Sequence, residues 1–103
     1  MSINTIPRSE FDRFKPLRHP EAESVFEETE WFADEQGVVL GVLARDRADG
    51  DWAYAVLGRD ERGVFRAFEN EVSIMRRDDA RHQLIGTMER AVSTGAKMFP
   101  QGD

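Results

Sequence analysis

The sequence predicts a small α+β domain: an antiparallel four-stranded meander with a C-terminal amphipathic helix on one face, preceded by an N-terminal arm and a short helix. Three observations predict it. Strand-like runs follow one another across spacers of turn length, which favours antiparallel neighbours. Gly37, Gly50 and Gly63 stand in those spacers, where hairpins need positive φ. A later segment repeats its apolar residues at helical period. At 103 residues the chain supports one core, since area scaling buries roughly 65% of the unfolded surface.

Residues 1–19 contain Pro7, Pro16, Phe11, Phe14 and Leu17 without a clear period, so they read as an arm that docks by its aromatics. Residues 20–94 read as a single α+β domain, and 95–103 as a flexible tail. Pro20 opens a short helix, because its missing N–H is no loss in a first turn. The acids of "PEAESVFEET" then sit at the positive end of the helix dipole, with Val25 and Phe26 as the buried residues. The strand runs are "EWFA", "VVLGVLAR", "WAYAVLG" and "VFRAFENEVSI", separated by "DEQG", "DRADGD" and "RDERG". Asp78 is the expected N-cap of a helix over about 79–93. There Ala80, Leu84, Ile85, Met88, Ala91 and Val92 share a stripe about 140° wide. His82, Gln83, Gly86, Glu89, Arg90 and Ser93 lie opposite, and Gly95 stops the helix.

The absence of cysteine excludes disulfides, zinc–thiolate sites and a thiol nucleophile. The longest apolar run, Val38 to Ala44, is too short for a membrane span, and the N-terminus lacks a signal-peptide core. A cytoplasmic protein is expected. Net charge is −6, unevenly spread. Residues 1–20 hold four bases against two acids, whereas 21–35 hold seven acids and no base. Gripping phosphates needs a basic footprint, and only the arm supplies one, which disfavours nucleic acid and anionic membrane as partners.

One helix covers one face of a small sheet, and alternation should then make the other face polar. The strands do not alternate in that way. Val38, Leu40, Val42 and Ala44 oppose Val39 and Leu43; Trp52, Tyr54 and Val56 oppose Ala53, Ala55 and Leu57. The second face therefore needs cover from the arm, from a second copy of the chain, or from another protein. Trp31, Trp52, Tyr54, Val56, Val64 and Phe68 are the candidate contact residues, since large aromatics dominate interface energies.

Candidate chemistry is sparse. The run Arg62-Gly63-Val64-Phe65-Arg66-Ala67-Phe68 resembles the basic-Gly-aromatic motif of RNA-recognition sheets. However, its phenylalanines are three apart and point to opposite faces of a strand. A three-stranded sheet followed by a helix resembles in outline the plant ethylene-response DNA-binding domain and the arm-binding domain of phage integrases, which implies DNA read by an arginine-studded sheet. Here Arg45, Arg47, Arg59, Arg62 and Arg66 are interleaved with Asp46, Asp49, Asp51, Asp60, Glu61 and Glu69. Residues 30–92 also resemble the body of small bacterial β-β-β-β-α proteins, a resemblance that brings no activity with it. "RDRADGDW" fails as a calcium loop, because Arg45, Arg47 and Val56 fall where ligands are required. His19 and His82 have no second histidine at ligand spacing, and Ser9, Ser24, Ser73 and Ser93 lack a nucleophile elbow.

No catalytic residue, metal ligand or cofactor is assigned. The expected function is non-enzymatic: protein–protein association or an accessory role, with a homodimer or another protein as partner. The alternative is a nucleic-acid-binding regulator using Arg8, Arg13, Lys15, Arg18, Arg59 and Arg62. A remote third reading is a metal-assisted hydrolase built on Glu21, Glu23, Glu27, Glu28, Glu30, Asp34 and Glu35.

Overall fold

The computed structural model describes residues 2–18 and 20–94. The expected tail and His19 lie outside them. The elements run β1 (Ile3–Ile6), α1 (Arg8–Arg13), α2 (Ala22–Val25), β2 (Phe26–Asp34), β3 (Val39–Asp46), β4 (Trp52–Arg59), β5 (Phe65–Ile74) and α3 (Arg77–Thr94). The sheet is an antiparallel meander of five strands in the order β1-β2-β3-β4-β5, one more than expected. The extra strand comes from the arm. Its "INTI" sequence places Ile3 and Ile6 at the ends of a short strand that pairs with the outer edge of β2, Ile3 opposite Asp34 and Ile6 opposite Trp31. β2 is also longer than "EWFA": the acidic stretch from Phe26 joins it, leaving α2 a single turn with no buried residue. Val25 is accordingly exposed, while Phe26 is half-buried as the first residue of β2.

The three turn glycines adopt positive φ as their places require: Gly37 69°, Gly50 78° and Gly63 82°. Asp34, Asp46 and Asp60 cap the bends by accepting backbone N–H groups. Asp34, itself buried, takes those of Gln36, Val38 and Val39 at 3.1, 2.8 and 2.7 Å. Asp46 and Asp60 do the same for Ala48 and for Arg62 and Val64.

α3 begins earlier than expected. The Ala80 N–H donates to the Arg76 carbonyl, so Asp78 and Asp79 both lie within the first turn, where their charge suits the dipole. The expected stripe is buried at Ala80, Leu84, Met88 and Ala91. Thr87 joins it, and Ile85 and Val92 flank it half-exposed. This stripe lies on the face made by Phe32, Val39, Leu43, Tyr54 and Val56. Gly41 lets it come close, since a Cβ there would stand 2.5 Å from the Met88 sulfur and 3.1 Å from Leu84 Cδ2. Phe11 is 1% exposed and packs on the opposite face, among Ala33, Leu40, Val42, Leu57 and Phe65. The arm thus covers part of the surplus apolar surface, through α1.

Candidate functional site

What α1 leaves uncovered is a groove of about 260 Å³ on the second face. Its floor is Val42, Ala44, Ala53, Ala55, Leu57 and Ala67. The floor is low because the strands alternate large residues towards α3 (Trp52, Tyr54, Val56) with alanines away from it. β5 forms one wall with Asn70 and Val72, β2 and α2 another with Ala22, Phe26 and Glu28, and Pro16, Leu17 and Arg18 a third. Val72 and Leu17 are 54% and 57% exposed, and two of the four exposed large hydrophobics among the described residues therefore stand on this rim. A third, Val25, immediately precedes Phe26.

Bulges give the groove its lining. In β2 the register shifts between Glu28 and Glu30, so Glu28 opposes Ala44 and Glu30 opposes Leu43. The extra residue, Thr29, hydrogen-bonds the Leu43 carbonyl at 3.1 Å. Two acids that alternation would put on one face therefore part company. Glu28 joins the groove, while Glu30 turns to the helix face and pairs with Arg77 and with Arg81. In β5 a first shift around Phe68 sends that ring to the α3 side and Asn70 to the groove. A second shift lies beside Ser73, which takes φ 62°.

Arg18 is the main polar group of the rim. Its Nε donates to Glu28 Oε2 at 2.8 Å, and its Nη2 to Glu28 Oε1 at 3.0 Å and Asp12 Oδ1 at 2.9 Å. The guanidinium also stacks 4.9 Å from the centre of the Phe11 ring. Trp31 Nε1 donates to Glu28 Oε1 at 2.9 Å. Burial pushes the Glu28 carboxyl upward, but the hydrogen bonds from Arg18 and Trp31 outweigh it and hold the group below its ordinary range. The Glu28 bond raises Arg18 further, against the opposing effect of burial.

The six expected contact residues do not share a surface. Tyr54 and Val56 are sealed beneath α3, at 4% and 0% exposure, and offer nothing to a partner. Trp52 and Phe68 pack against the same core. Trp52 also lies under Arg45 and Arg77, at 5.7 and 6.0 Å. Val64 is half-buried in the β4–β5 turn. Trp31 alone sits with the second-face cluster, with Arg8 stacked over it at 5.9 Å. The expected phosphate-gripping set divides similarly. Arg8 pairs with Asp12 and Glu23, and Arg18 with Asp12 and Glu28. Arg13, Lys15, Arg59 and Arg62 are exposed and form no ion pair among the described residues.

The acidic run does not converge either. Asp34 caps a turn, Glu28 and Glu30 lie on opposite faces, and Glu23 pairs with Arg8. Among the described residues no group of three or more His, Asp or Glu is placed to hold a metal ion. The alanine floor was legible only as the small half of the alternation in β4. Nothing local links Arg18 to a glutamate ten residues away.

Among known proteins, no family model matches the chain, and no curated protein or solved structure is significantly similar to it. No helix among the described residues is long and apolar enough to cross a membrane.

Proposed function

We propose that this protein is a non-enzymatic association domain whose contact surface is the open groove of the second sheet face, and that its partner there is a second copy of the chain. The observation that carries the reading is the pairing of knob and hollow on one surface. Val72, 54% exposed, stands beside a floor of alanines. A two-fold axis presents the same patch on both partners, so an interface of this kind must be self-complementary. Val72 of each copy can then seat over Ala44 and Ala53 of the other. The lining is mainly apolar, and its two charged members, Arg18 and Glu28, satisfy each other, which leaves the Asn70 amide on the β5 wall as the polar group that contact would have to accommodate. The groove is small, which supports a weak interface at the low end of the size range.

Sedimentation velocity across a concentration series tests this. The expected result is a monomer–dimer equilibrium with a Kd in the micromolar range, about −8 kcal/mol. Val72→Asp places a charge in the contact without touching the core and is expected to leave only monomer, with unchanged circular dichroism. A wild-type protein that stays monomeric at the highest concentration would overturn the reading. Salt-dependent retention on heparin would instead favour the phosphate-binding alternative through Arg13, Lys15, Arg59 and Arg62.

A further inference from the structure

The chain from Lys15 to Arg18 ties together two strands that are not neighbours. It leaves α1 through Lys15, held at φ 52°, in the left-handed region. The Leu17 N–H then donates to the Phe65 carbonyl at 3.2 Å. Phe65 opposes Arg59, and in the adjacent pair the Asp60 N–H donates to the Val64 carbonyl at 2.9 Å. By antiparallel alternation the Phe65 carbonyl therefore points outward, along the free edge of β5. The next residue, Arg18, reaches back to Glu28 of β2. One residue grips β5 and its neighbour grips β2, so the segment is a strap across the mouth of the groove, which both strands wall.

The strap has little else to hold it. Leu17 is 57% exposed and contributes little burial. The Lys15 N–H bonds only backwards, to the Asp12 carbonyl. Segments with few apolar contacts and few backbone bonds open at low cost. What remains is the Arg18 side chain, with its paired bonds to Glu28, its bond to Asp12 and its stacking on Phe11.

We propose that residues 15–18 are a latched strap, that Arg18 is the latch, and that its release from Glu28 opens the groove. Release frees the Phe65 carbonyl and removes the wall formed by Pro16, Leu17 and Arg18, leaving more of the alanine floor accessible. In the closed form the strap narrows the surface assigned above to self-association, so its release enlarges that surface; the regulatory part of this inference rests on that assignment.

Amide hydrogen exchange on the full chain, wild type against Arg18→Gln, reads the latch directly. The Leu17 amide is expected to exchange roughly tenfold faster or more in the variant, while the Leu43 and Tyr54 amides keep their wild-type rates. Binding of the apolar dye 8-anilinonaphthalene-1-sulfonate is expected to rise in the same sample. An unchanged Leu17 rate would show that Arg18 is no latch. A faster Leu17 rate with unchanged dye binding would show that the strap does not gate the groove. Should Arg18→Gln fail to fold, Glu28→Gln serves the same comparison, since it leaves the Asp12 and Phe11 contacts of Arg18 in place. Sedimentation of both proteins separates the two proposals. Monomers throughout, with a faster Leu17 amide and raised dye binding in the variant, would remove the association reading and leave the strap standing.

Discussion

Glu28 joins three parts of the molecule through one carboxylate: the strap by Arg18, the second sheet face by Trp31, and α1 through the Arg18–Asp12 bond. Its folded-state ionisation lies below the ordinary glutamate range. A carboxyl depressed by folding stabilises the protein above its unfolded pKa, and that contribution disappears as pH falls through the folded value. Glu28→Gln is therefore expected to cost about 1–2 kcal/mol at pH 7, because it removes a charged partner from a half-buried site. The difference from wild type should shrink as pH falls below the ordinary glutamate range and the wild-type carboxyl itself takes up a proton. Urea unfolding of both proteins at several pH values checks this, and a pH-independent difference would contradict it. Arm residues should divide by burial. Phe11→Ala is expected to cost about 3–5 kcal/mol. Leu17→Ala should stay within about 0.5 kcal/mol, since most of that side chain already meets water.

The contact between α3 and the sheet depends on a close approach at Gly41. A Cβ there meets the Met88 sulfur, the mobile end of a flexible side chain, and Leu84 beside it. Gly41→Ala is expected to destabilise by about 1–3 kcal/mol through overpacking. In a Met88→Ala background the added methyl enters vacated space, so the two changes should be non-additive by more than about 0.5 kcal/mol. A double-mutant cycle by thermal or urea unfolding measures the coupling; simple additivity would mean that α3 shifts as a body instead. A hydrogen-bonded chain anchors the same helix. Tyr54 and Thr87 hydroxyls meet at 3.4 Å, Thr87 donates to Glu69 at 3.4 Å, and Arg90 closes on Glu69 at 2.7 Å. It gives the buried Tyr54 and Thr87 hydroxyls partners on the way to the surface, which accounts for a threonine in an apolar stripe.

For the molecule as a whole, the decisive feature is a sheet with two apolar faces and unequal covers. α3 covers one face along its length, and α1 covers part of the other. β1 and α1 are therefore structural parts of the fold, since β1 pairs with the outer edge of β2, and Ile6, Phe11 and Phe14 pack with Leu40, Leu57 and Phe65. Deleting residues 2–18 is expected to abolish the cooperative thermal transition and to leave a compact, dye-binding state. A sharp transition within a few degrees of the full-length protein would show that the second face needs no cover.

The class of fold, the order of the last four strands, their turn glycines and the buried stripe of α3 were all written locally. Hydrophobic period, turn chemistry and helix period each act over a few residues, and these agree with one another. The surplus of apolar strand surface was equally plain. Its disposition was not, because facing depends on parity, and a single inserted residue reverses parity for everything beyond it. The bulges at Thr29 and Phe68 decided that Glu28 and Asn70 line the groove and that Phe68 packs towards α3. Which face the aromatic half of β4 would take, and that Arg18 would cross the groove to Glu28, rested on contacts between residues distant in the chain. Only the assembled tertiary structure brings those residues together.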